Sequence, residues 1–151
     1  MIDLAYKVLG FLLTLGVLVI IHELGHYLVA RWCGVKVLRF SVGFGRVVAV
    51  RRFGADGTEW ALSAIPLGGY VKFADEREGD LPPQDAARAY NRQNVWKRIA
   101  IAAAGPAANL LLAILLFAGT FMAGVPGQRA LLAEPGPGSA AAAAGLRGGD
   151  L

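Results

Sequence analysis

The chain alternates between long apolar blocks and short charged ones. Residues 8–20, VLGFLLTLGVLVI, are apolar except for Thr14, and the same pattern continues through IHELGHYLVA at 21–30. This predicts one helix over about residues 4–33, long enough to cross the hydrocarbon core of a bilayer, for which ~20 residues suffice. Residues 99–126 hold no charged side chain and predict a second spanning helix, opened by Trp96, Lys97 and Arg98 as interfacial anchors. Asn94 is placed to cap it, and Gly105-Pro106 to kink it.

Between these blocks the period changes. VKVLRFSVGFGRVVAVRRF at 35–53 is rich in valine, phenylalanine and arginine, and it suits strands. Asp56-Gly57 is a hairpin-turn signal. WALSAIPLGGYVKF, residues 60–73, then reads as one or two further strands broken at Pro66 and at Gly68-Gly69. The expected product is a small antiparallel sheet. It is apolar enough to dip into the membrane if its backbone is covered or lines a cavity. Residues 74–94 are polar, with a short surface helix expected from Pro82-Pro83. The predicted fold is therefore a mainly α membrane protein. Its parts are a first membrane helix (1–34), a membrane-associated antiparallel β-region (35–73), a polar loop (74–94), a second membrane helix (95–126) and a tail (127–151).

Composition sharpens this picture. Hydrophobic residues make up 56% of the chain and charged residues 17%, which argues against an ordinary soluble domain. The net charge is +4, and twelve of the fifteen Lys and Arg residues lie between 31 and 98. That is the positive-inside distribution: loop 31–98 is expected in the cytoplasm and both chain ends outside. Nucleic-acid binding is not expected, because the basic residues have no separate aromatic-rich reading surface. A secretory signal peptide fits poorly. Lys7 is the only early positive charge, no small-x-small cleavage site appears, and the apolar pattern runs past His26. Cys33 is the only cysteine and excludes an intrachain disulfide.

Ionisable groups at membrane depth are expensive, so His22, Glu23 and His26 call for a role. Histidines four apart on a helix are rotated by only about 40° and separated by about 6 Å of rise, so both imidazoles leave one face. Neutral imidazoles can bind zinc, and a carboxylate one step round can take a proton from water, which is the logic of H-E-x-x-H. The bland alternative is a pair of histidines packed against a neighbouring helix. Asn109 is the other polar residue at this depth. It reads equally as a partner for the active-site helix or a substrate carbonyl, and as an interhelical hydrogen bond.

HELGH, FSVGFG, IPLGGYVKF and AAGPAANLLLA, in this order and at this spacing, resemble the site-2 protease family of intramembrane zinc metalloproteases. The likeness is greatest to its bacterial RseP type, which cleaves an anti-sigma factor within the inner membrane. The resemblance implies that His22 and His26 bind Zn2+ and that Glu23 is the catalytic base. It implies that residues 35–73 present an unwound membrane-embedded protein substrate beside the metal. Gly68 and Gly69, where close backbone approach is expected, and Asn109, from its amide at membrane depth, are the candidate substrate-binding positions. PGSAAAAAGLRGGDL would open a PDZ-like domain, in place of the low-complexity linker that its alanines alone indicate. The family's third zinc ligand is an aspartate in a later membrane helix within an L-D-G motif. No such motif occurs in these 151 residues, and Asp150 does not match it. The expectation is a fragment, inactive alone, that supplies two of three ligands. Two other readings remain: a non-catalytic membrane module that binds partners through the β-region or tail, and a metal-delivery protein. The latter would call for more polar residues along the second helix than Asn109.

Overall fold

The computed structural model describes residues 2–124 and 133–149. The chain divides into two compact units, Met1–Leu116 and Phe117–Leu151. Among the described residues, two helices are long and apolar enough to span a bilayer.

Helix α1, Ile2–Trp32, carries the first apolar block. Over its first two turns and beyond, large side chains such as Leu9, Phe11 and Leu13 stand exposed, as a lipid-facing helix requires. It ends for a definable reason. The Val35 amide donates to the Ala30 carbonyl, and that of Gly34 to Arg31, with Gly34 at φ +84°. This is a Schellman motif, in which a left-handed glycine lets the chain turn back on the last helical turn. Ala30 and Val35 are thereby folded into the core, where they meet Val37 and Ile101.

Strands β1, Val37–Phe53, and β2, Thr58–Phe73, form an antiparallel sheet turning at 54–57. Its register is unusual. Phe40 faces both Trp60 and Val71, Ser41 faces both Ala61 and Tyr70, and Val42 faces both Leu62 and Gly69. Residues 47–53 pair separately with 58–63. Each long strand is therefore bent into two pairing segments, and the lateral order is 47–53, 58–63, 37–42, 69–73. Partner numbers rise together between 39–42 and 59–62, so those two segments run the same way inside an otherwise antiparallel hairpin. The expected break at Pro66 and Gly68-Gly69 is not a break in the strand. Pairing lapses between Ile65 and Gly69 while the backbone stays extended, because proline has no N–H to give a ladder.

The polar segment is tied to the helix end by charge. Arg31 and Arg88 both donate to Asp56 at the hairpin turn, Arg88 at 2.7 and 2.8 Å. Lys36 donates to Asp85 at 2.6 Å. These arginines hold the Asp56 carboxyl below the usual carboxylate range, Arg88 most strongly. The expected surface helix is a single turn, α2 (Pro83–Ala86), followed by a 3-10 turn at Tyr90–Arg92. Helix α3, Val95–Ala123, starts where expected, with the Asn94 side chain accepting from the Trp96 amide at 2.9 Å. It continues through Pro106.

In the second unit, Ser139 caps a one-turn helix, α4 (Ala140–Ala143). Positions 125–132, 150 and 151 of the predicted second helix and tail lie outside the described residues.

Candidate metal centre

His22, Glu23 and His26 lie ten to six residues before the end of α1, where it meets α3 and the sheet. The imidazole centroids are 4.9 Å apart with the rings nearly perpendicular. A close helix crossing is needed to cover them, and small residues supply it. A side chain on Gly25 would run into the Ala104 carbonyl and come within 2.8 Å of the Ala108 methyl. Across the seam, a Cβ on Gly105 would fall 2.6 Å from the His22 Nε2 and closer still to the His26 Nε2. Both Nε2 atoms thus converge on space that exists because residue 105 is glycine.

The other ring nitrogens are engaged. His26 Nδ1 lies 2.7 Å from the Ile101 carbonyl oxygen. A carbonyl can only accept, so Nδ1 carries the proton and the Nε2 lone pair is free. Metal-binding histidines are usually fixed this way, by a second partner on the far nitrogen. His22 Nδ1 faces the Asn109 side chain at 3.3 Å. The chemistry of the pair fits a divalent metal that accepts imidazole, as zinc does. Among the described residues, no three of His, Cys, Asp and Glu gather at one point, so these two nitrogens are the donors the described chain offers.

The sheet closes the site from the side. A Cβ on Gly69 would lie 3.2 Å from the Glu23 Cγ and 2.7 Å from the Ser41 carbonyl. Gly68, at φ +109°, leaves no room for a side chain against the Phe44 ring. Two cavities flank Glu23 and Gly69. One, of about 410 Å³, is bounded by His22, Phe44, Gly68 and Asn109. The other, of about 360 Å³, is bounded by His26, Tyr70, Phe73 and Tyr90.

The family model for peptidase family M50 matches residues 10–143. The chain belongs to peptidase family M50. Among its relatives is a Vibrio cholerae protein provisionally named a zinc metalloprotease, 48% identical over 149 residues, or 99% of this chain and 33% of that protein. A Ralstonia nicotianae protein of the same provisional name is 53% identical over 95% of this chain and 32% of its own length. The regulator of sigma-E protease RseP of Salmonella typhimurium is 45% identical over 99% of this chain and 33% of its own length. The chain thus spans about a third of the length of these relatives. The resemblance to site-2 zinc metalloproteases is borne out at the level of family.

All six residues singled out in the sequence, His22, Glu23, His26, Gly68, Gly69 and Asn109, border one site. Gly25 and Gly105 were not among them. A signal was present: Gly105 and Asn109 are four apart, the same spacing as His22 and His26, so the two pairs form matching faces.

Proposed function

We propose that the M50 chain provides the catalytic half of an intramembrane zinc endopeptidase. The observation that carries this is the convergence of the His22 and His26 Nε2 atoms over Gly105, with Glu23 alongside between two cavities. Zinc bound there would supply Lewis acidity toward water and the scissile carbonyl. Glu23 would accept the proton that water gives up and return it to the leaving amine. The third ligand would come from outside these 151 residues, in keeping with the relatives' greater length.

A peptide bond inside a helix is hidden by its own hydrogen bonds, so the substrate segment must be unwound near the site. Segment 69–73 pairs with 37–42 on one side only among the described residues, and a Cβ added at Gly69 would lie 3.2 Å from the Glu23 Cγ. It can take an extended substrate as an added strand beside the base. Exposed Phe44, Val48, Val50, Ile65 and Leu67 suit a sheet that dips into lipid. The charge distribution favours loop 31–98 in the cytoplasm and both ends outside, with the site nearer the cytoplasmic face. By the motif resemblance to the RseP type, the substrate class would be a membrane-bound anti-sigma factor and the tail would open a PDZ-like domain.

The test is Glu23→Gln in the full-length protein. The amide keeps the shape and cannot take the proton. Zinc content should stay at the wild-type level while cleavage of a membrane substrate falls at least ~10²-fold. Appreciable turnover would move the base elsewhere.

A further inference from the structure

Asn109 is half-buried on α3, with its Nδ2 3.3 Å from His22 Nδ1 and its Oδ1, a buried atom, without a hydrogen-bond partner. In that orientation the amide N–H donates, and His22 Nδ1 must be the accepting lone pair. A neutral imidazole with a lone pair on Nδ1 carries its proton on Nε2. Nε2 is the atom that points with the His26 Nε2 into the space over Gly105. A protonated Nε2 cannot bind a metal, so this arrangement would disable one of the two donors.

Rotating the amide by 180° about its last torsion exchanges oxygen and nitrogen and moves nothing else. Oδ1 then accepts from a protonated His22 Nδ1, the His22 Nε2 lone pair is freed, and Nδ2 takes the place that Oδ1 held. His26 already has this arrangement, because the Ile101 carbonyl offers no other.

Resting on the zinc-protease reading above, we infer that Asn109 is a positioning residue whose side-chain oxygen fixes His22 in the Nδ1–H form, leaving Nε2 to the metal. This differs from a role as a substrate ligand and from a simple interhelical bond. His26 is set by backbone that no substitution removes, whereas His22 depends on one side chain.

The two orientations make opposite predictions for Asn109→Asp. A carboxylate accepts as the amide oxygen does but has no N–H to give. In the full-length protein, Asn109→Asp should hold zinc within about 3-fold of wild type, while Asn109→Leu should lose roughly 10–100-fold in affinity, the usual cost of removing such a partner. Nitrogen NMR of histidine-labelled, zinc-free protein should place the His22 proton on Nδ1. Zinc loss in Asn109→Asp as deep as in Asn109→Leu, unchanged affinity in Asn109→Leu, or a proton on Nε2 would each overturn the assignment. If Asn109→Leu fails to fold, Asn109→Asp and the NMR spectrum still decide. A wild-type protein that binds no zinc would instead sink the protease reading, and the spectrum would still report on Asn109.

Discussion

Two regions hold α1 in place, and they use opposite means. At the seam, Gly25, Ala104, Gly105 and Ala108, none of which carries a charge, let α1 and α3 approach closely. Six residues on from Gly25, or about 9 Å along the helix axis, the end of α1 is clasped by Arg31, Asp56 and Arg88, with Lys36 and Asp85 beside them. The difference follows the solvent. In an apolar medium burial gives helices little reason to associate, so close van der Waals packing between small residues carries the contact. At the water-facing end, charged groups can be solvated before they pair, and an ion-pair network fixes the sheet to the helix at tolerable cost. Shape makes the candidate metal site, and charge ties the hairpin turn to the helix end.

Breaking the seam should cost most. Gly105→Val would put carbon where the two Nε2 atoms converge, so zinc binding by the full-length protein should fall more than 10-fold, as loss of ligand geometry does. Bound metal measured after purification in detergent checks this. Normal zinc content would mean that the space over Gly105 is not the metal's.

Breaking the clasp should cost less and act differently. Asp56→Ala leaves two arginines without their carboxylate and should destabilise the fold by about 1–2 kcal/mol, reduced by the partial exposure of Arg88. Zinc affinity should change little, while cleavage should fall because segment 69–73 is less firmly placed. Thermal melting, metal content and cleavage together separate this from damage at the seam.

Acid should have the smallest effect, confined to the clasp side. The Arg77 guanidinium beside Asp75 holds its carboxyl at about 2, well below its ordinary 3.8. Asp56 and Glu59 are lowered too, chiefly by hydrogen bonds from Arg88 and Arg52. A lowered carboxyl stabilises the fold above its unfolded pKa, and that contribution is lost as the pH falls through the folded value. Stability should therefore be flat above about pH 5 and decline from there toward about pH 2. Tryptophan fluorescence against pH follows it through Trp60, which packs on Phe40 and Tyr27. A decline centred near neutrality would contradict the assignment.

The sequence carried the helices and the pairing of His22 with His26 because both depend on local rules: uncharged runs of spanning length, and a four-residue spacing that puts the two imidazoles on one face. It carried the hairpin through Asp56-Gly57. It did not carry the double pairing of Phe40, Ser41 and Val42, which depends on bulges that bring residues 59–62 and 69–73 to both sides of one segment. Nor did it show the clasp, since Arg31 and Arg88 lie 25 and 32 positions from Asp56. Gly105 read as part of a kink beside Pro106. Its use as empty space becomes visible only when α1 is laid against α3.

The central claim is that His22 and His26 bind one zinc ion through Nε2. X-ray absorption at the zinc edge of the full-length protein tests it most directly. The spectrum should show two imidazole nitrogens at about 2.0–2.1 Å, and His26→Ala should remove one of them along with most of the bound metal. A wild-type spectrum without imidazole scattering, or one unchanged in His26→Ala, would contradict the account.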